Sequence, residues 1–244
     1  MSRGNRRTAI FKDQLDYIHF LDVIEMVCEK HPFKIHSVCL MTNHFHLSIQ
    51  TYDTELWKIM QKILSIYAEE FNHRHGYNGH LFEGRYTSAL IEDERYFLEV
   101  SRYIHLNPVK ALMVREPSAY EYSSYDLFIA ESPEFSQADV RRKIAGITDT
   151  SRVLSCFGSN PREQYRMFVE GKLSHAEQEL LIRKDIGEDE MWLPWNVKGS
   201  DAGGDGSKEH GDFGRGWVYG RDRSVYDPRP AADDLDHWPG GPGN

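Results

Sequence analysis

Two histidines separated by one residue, His44 and His46, are followed 57 residues later by Tyr103 and then by Asn107. On a β-strand the side chains alternate with a period of two, so such a pair projects both imidazoles from one face as a two-nitrogen metal claw. Phe45, Leu47 and Ile49 share the opposite face and are expected in a core, which leaves the histidines facing a site. Tyr103 and Asn107 lie four residues apart, one above the other on a helix, beside an apolar stripe of Phe97, Val100 and Ile104. That margin is where a nucleophile stays within reach of substrate. A phenol titrates at about 10, so a cation that lowers this value or polarises a phosphate would make a tyrosine reactive near neutral pH.

The pair alone is a weak signal. With 12 histidines in 244 residues, chance supplies roughly 0.6 such pairs, and the chain has a second one, His73-Arg74-His75. Those residues precede Gly76 at the end of a helical run, where basic side chains face the free carbonyls of a helix C-terminus and glycine permits the left-handed stop. They read as structural, with a phosphate contact as the alternative. The strand setting of His44 and His46 separates the two cases.

The elements that must position these groups follow from periodicity. Tyr17, Phe20, Leu21, Ile24, Val27 and Cys28 predict a helix over 13–29, and 34–41 reads as a strand. Thr42-Asn43 either turns a hairpin or bends one strand before the histidines. Asp53 or Thr54 is the expected N-cap of a second helix, with Leu56, Met60, Ile63 and Tyr67 as its stripe and Gly76 as its end. Residues 81–91 read as strand-rich, carrying Arg85 and Tyr86. Glu92-Asp93-Glu94 supplies the acidic start of the Tyr103 helix, from about 93 to 107, with Pro108 and Pro117 marking its exit. The order helix, strand, strand, helix, strand, helix predicts an α+β fold with an antiparallel sheet. A strand before the first helix would complete a ferredoxin-like arrangement, but only about ten residues stand there. Residues 1–120 are expected as the main domain and 121–194 as a helical extension with a helix near 162–172. The Gly/Asp/Pro-rich stretch 195–244 is expected to be disordered, although three of the five tryptophans fall in it.

Composition narrows the function classes. No apolar run reaches the roughly 18 residues of a membrane span, and the start Met-Ser-Arg-Gly-Asn-Arg-Arg has no signal-peptide core, so a cytoplasmic protein is expected. Cys28, Cys39 and Cys156 are odd in number and without C-x-x-C spacing, which argues against a disulfide framework and a thiolate zinc site. The net charge of −9 is spread evenly: 1–130, 131–194 and 195–244 each net −3. Non-specific coating of duplex DNA is thereby disfavoured. A nucleic-acid contact would be local, made by residues such as Arg3, Arg6, Arg7, Lys58, Lys62, Arg74, Arg85, Arg102 and Lys110 with aromatic stacking, a design suited to a single strand.

Four phrases, Ser-Arg-Gly-Asn-Arg-Arg (2–7), Cys-Leu-Met-Thr-Asn-His-Phe-His-Leu (39–47), Gly-His-Leu-Phe-Glu-Gly-Arg-Tyr (79–86) and Arg-Tyr-Ile-His-Leu-Asn-Pro-Val-Lys (102–110), together resemble the REP-associated tyrosine transposases of the single-tyrosine HUH superfamily. The resemblance covers roughly 2–130. It implies a ferredoxin-like HUH nuclease fold, a divalent cation such as Mg²⁺ or Mn²⁺, and cleavage and rejoining of single-stranded DNA near hairpins through a 5′-phosphotyrosine. By position it makes Tyr103 the nucleophile, His44 and His46 metal ligands, and Asn107 the third ligand. A homodimer is compatible with it, and no nucleotide cofactor or membrane partner is expected. Arg85, Tyr86 and Arg102 are candidate DNA contacts by their charge, aromaticity and placement. Family members carry a strand like Tyr-His-Val just before Ser-Arg-Gly-Asn, so the sheet is expected to lack one strand here.

Two other functions fit the residues: a hairpin-binding module that does no chemistry, and a phosphodiesterase using activated water. The latter needs a carboxylate near the histidines, with Asp53 and Glu83 as the candidates.

Overall fold

The computed structural model describes residues 1–131, 140–171 and 217–218. Its first long helix, α1 (Gln14–Lys30), starts where Asp13 accepts hydrogen bonds from the backbone N–H groups of Leu15 and Asp16, as an N-cap aspartate does. Strands β2 (Phe33–Met41) and β3 (His44–Thr51) pair antiparallel with Met41 opposite His44, so Thr42-Asn43 is the two-residue turn of a hairpin. Helix α2 (Leu56–His75) ends at Gly76, which takes the left-handed conformation at φ 65°. Its N-cap is Glu55, with no side-chain hydrogen bond, instead of the expected Asp53 or Thr54.

On the edge of β3 away from β2, β1 (Ser2–Arg3) pairs with Phe45 and His44, and β5 (Trp217–Val218) pairs with Ile49 and Gln50; β4 (Leu90–Ile91) lies beyond β5. Each of these strand pairs is antiparallel. The α+β class with an antiparallel sheet is borne out. Of the stretch expected to be disordered, only Trp217–Val218 lies within the described residues, and there it is a strand.

The strand expected over 81–91 shrinks to Leu90–Ile91. Residues 81–87 instead run irregularly along the N-terminal segment: Asn5 N–H bonds Leu81 O, Glu83 N–H bonds Arg3 O and Thr87 N–H bonds Met1 O. Their backbone donors are satisfied outside a regular ladder. Arg85 and Tyr86 therefore sit on a loop, the first exposed and the second half-buried against the core. Gly4 is required in this turn, because a Cβ there would collide with the Thr8 carbonyl oxygen and Ile10.

Helix α3 (Glu94–Lys110), N-capped by Asp93, passes through Pro108 instead of stopping before it. Proline forfeits one backbone hydrogen bond, yet the helix resumes at once: Ala111 N–H reaches Asn107 O. Beyond it come α4 (Tyr125–Ile129), α5 (Val140–Ile147), α6 (Ser151–Leu154) and α7 (Pro161–Glu170).

The sheet separates two cores. Phe45, Leu47 and Ile49 of β3, with Val38 and Leu40 of β2, pack with α1, α2 and α5. Cys39 and Met41 pack with α3, α4, α6 and α7. A register shift between Ile35 and Ser37 resets the alternation of β2, so that Ser37, Cys39 and Met41 share the α3 face while Ile35 stays in the other core. The helices after residue 120 share a core with α3. Arg74 ties α2 back to α1 through ion pairs with Asp13 (2.6 Å) and Asp16, and His75 joins Asp16 at 3.0 Å, so His75 of the second histidine pair is structural, through Asp16 of α1 and not through the helix-end carbonyls.

Candidate active site

The histidine pair of β3 does share one face of the strand, and that face is covered. Phe45, Leu47 and Ile49 face one core, as alternation requires, and the opposite face carries His44, half-buried, and His46, fully buried under α3. The two imidazoles stand 5.0 Å apart between centroids and nearly perpendicular. Burial, then the nearby Arg3 charge, holds His44 down to about 4. Burial, then the His44 charge, pushes His46 well below the usual histidine range. Both are therefore neutral at physiological pH, the form in which imidazole binds a metal.

The turn fixes the tautomer of His44. The Asn43 amide donates through Nδ2 to the Arg7 carbonyl (3.2 Å), which sets its orientation, and its Oδ1 then accepts from His44 Nδ1 at 2.7 Å. An amide oxygen only accepts, so the proton sits on Nδ1 and the lone pair on Nε2. The same carbonyl belongs to a strained segment: Arg6 (φ 52°) and Arg7 (φ 58°) both adopt the left-handed conformation without being glycine. Asn43 thus links a metal-type ligand to an exposed basic turn.

Helix α3 brings the tyrosine. The ring of Tyr103 meets His46 edge to face at 5.6 Å between centroids. Lys110, seven residues on, places Nζ 4.6 Å from the centroid of the same ring. Asn107 lies between them on the i, i+4, i+7 stripe, buried, with Nδ2 donating to the Tyr103 carbonyl at 2.8 Å. Its Oδ1 is the remaining acceptor. Among the described residues no third His, Cys, Asp or Glu joins the histidines as a metal-binding group. Asp53 and Glu83 form no such group with them.

The candidate contacts are scattered differently. Arg85 is exposed on its loop. Arg102 turns toward the extension, with its guanidinium over the Phe168 ring at 5.6 Å and Nη1 3.5 Å from Glu99. Sequence reasoning missed Asn43, whose link to His44 needs the hairpin turn. It counted Lys110 only as a basic residue, although the i+7 spacing from Tyr103 was available.

Residues 1–107 match the family model described as "Transposase IS200 like". The match covers less than half of the chain, and it is of the kind that the four motifs resemble. Among curated proteins, the chain is 27% identical over 122 residues to a protein of Haemophilus influenzae (strain ATCC 51907 / DSM 11121 / KW20 / Rd) that bears the name of a REP-associated tyrosine transposase; the alignment covers 45% of this chain and 69% of that protein. The resemblance read from the four motifs is thereby borne out. A solved structure of a REP-associated tyrosine transposase bound to a REP hairpin is similar with 19% identity and a TM-score of 0.45, over 57% of this chain and 86% of that one. Among the described residues no helix is long and apolar enough to cross a membrane.

Proposed function

We propose that this protein cleaves and rejoins single-stranded DNA beside hairpins, with Tyr103 as the nucleophile and a divalent cation, Mg²⁺ or Mn²⁺, held by His44, His46 and Asn107. The observation that carries the reading is the packing of the Tyr103 ring against His46 at 5.6 Å, two groups brought from different elements to one spot.

The residues fit such a cation. Two neutral imidazoles, one with its tautomer fixed by Asn43, and one amide oxygen would offer a nitrogen and oxygen donor set to a divalent cation, the amide oxygen being the donor that magnesium and manganese favour. The cation supplies Lewis-acid polarisation of the scissile phosphate. The chain supplies the rest. Tyr103 Oη attacks phosphorus and its proton passes to water; the bond from phosphorus to the 3′ oxygen breaks, and that oxygen leaves as a hydroxyl. The phosphate stays esterified to Tyr103 as a 5′-phosphotyrosine. Attack of a 3′-hydroxyl reverses the exchange, one ester for another, without ATP. Lys110 adds positive charge beside the ring that carries the reacting oxygen. Arg85 and Tyr86 are proposed to hold the strand, and Arg102 to contribute charge from its place on α3, beside Phe168 of α7.

Labelled single-stranded hairpin DNA incubated with the protein and Mn²⁺ should give a slower, protease-sensitive band on a denaturing gel. Tyr103→Phe should lower its yield by about 1,000-fold or more, and His44→Ala should abolish it without loss of folding. Cutting that persists in Tyr103→Phe would point to activated water, and a shifted but uncut hairpin to a binding module.

A further inference from the structure

Beneath the catalytic helix lies a chain of polar groups in an otherwise apolar core. Ser37 Oγ of β2 meets Ser101 Oγ of α3 at 2.8 Å; Ser101 Oγ meets the Tyr165 hydroxyl of α7 at 2.6 Å; that hydroxyl meets His105 Nδ1 of α3 at 2.6 Å. His105 Nε2 continues to Ser124 Oγ at 2.8 Å, and Ser124 donates on to the Val38 carbonyl of β2 at 3.3 Å. Every side chain in it is fully buried. A neutral imidazole offers one donor and one acceptor, and one direction of protons then satisfies every member, from Ser37 through Ser101 and Tyr165 to Nδ1, and from Nε2–H through Ser124 to Val38.

Ser101 and His105 are one helical turn apart and stand two residues either side of Tyr103, about 200° from it around the helix axis. The network thus grips one face of α3 while the opposite face presents Tyr103, Asn107 and Lys110. Packing of apolar groups tolerates sliding and rotation; short directional hydrogen bonds to both β2 and α7 do not. The same β2 runs beside the histidine strand, with Cys39 opposite His46, and its irregularity after Ile35 is what turns Ser37 toward α3.

We propose that Tyr165 is a positioning residue for the transposase reaction: by holding Ser101 and His105 together, it sets the rotation of α3 and hence the aim of Tyr103 at the His44–His46 pair. The helical extension is then part of the catalytic apparatus without touching substrate. The proposal rests on the function proposed above, but its structural part can be read apart from activity.

Tyr165→Phe removes the hydroxyl and keeps the ring that stacks on Phe128 at 4.7 Å. The control is Tyr125→Phe, which removes a hydroxyl of the same extension that bonds Glu170 and no group of α3. Each full-length variant is assayed well below its melting temperature for hairpin binding and for the rate of covalent adduct formation, and 3-fluorotyrosine placed at position 103 reports its surroundings by fluorine NMR. Tyr165→Phe should bind hairpin DNA within about twofold of wild type, form adduct at least about tenfold more slowly, and show a shifted or split fluorine signal. Tyr125→Phe should leave rate and signal unchanged. An unchanged rate and signal in Tyr165→Phe, or equal effects in the two variants, would overturn the proposal. If wild type forms no adduct while the fluorine signal still splits in Tyr165→Phe, the transposase reading fails and the positioning of Tyr103 stands.

Discussion

At the scale of single residues, the chemistry rests on neutral imidazoles and on what orients them. Asn43→Leu removes the acceptor that fixes His44 while leaving both histidines. Mn²⁺ affinity measured calorimetrically should fall by about 10- to 100-fold, the usual effect of losing an outer partner of a ligating histidine; unchanged affinity would show that the turn plays no part in metal binding. The buried histidines also dictate a pH dependence. His44 and His105 are held down to about 4 and about 3, with His36 and His46 also lowered, in each case first by burial. An unfolded chain takes up protons as pH falls through about 6.5 and the folded one does not, so stability must drop below that pH. Each such histidine contributes about 1.4 kcal/mol per pH unit between about 6.5 and its folded value. Thermal melts should therefore fall steadily from pH 6.5 toward 5, and a flat profile would contradict the neutral, buried assignment. The His-x-His pair was legible because strand alternation fixes its geometry locally. The network of His105 was not, since its partners lie 19 and 60 residues away.

At the scale of elements, what could be read followed periodicity and what could not followed backbone accounting. Helix α1, its Asp13 cap, the Gly76 stop and the Phe97, Val100 and Ile104 stripe all obey local rules. The segment 81–91 has the composition of a strand, but its hydrogen bonds go to residues 1–5, so only Leu90 and Ile91 join the sheet. Pro108 promised a helix end, yet one lost hydrogen bond is small beside the burial of Ile104, Leu106 and Asn107 around it. The clamp between α1 and α2 gives a stability prediction. Asp16 is 1% exposed and receives Arg74, His75 and the backbone N–H of Lys12. Arg74→Met should lower the urea unfolding midpoint, because a buried carboxylate keeps only part of its partners. An unchanged midpoint would assign Arg74 to the surface and reopen the phosphate-contact reading.

At the scale of the whole molecule, a net charge of −9 must coexist with the proposed activity on DNA. Binding can then use only a few phosphates, so the logarithm of affinity for hairpin DNA should fall with the logarithm of salt at a slope of about −2 to −3. A slope near −7 would require a broad basic surface, against which the even spread of negative net charge along the sequence argues. The sheet holds the histidines, α3 holds the tyrosine, and α7 with β2 holds α3, which is why a site split across 57 residues converges. The central claim is that Tyr103 becomes esterified to DNA. Its most direct measurement is mass spectrometry of peptides from the protein after reaction with hairpin DNA and Mn²⁺, followed by nuclease trimming. The account predicts a nucleotide-sized mass addition on the peptide containing Tyr103, absent from Tyr103→Phe. A modification on any other residue, or cleaved DNA with no modified peptide, would contradict it.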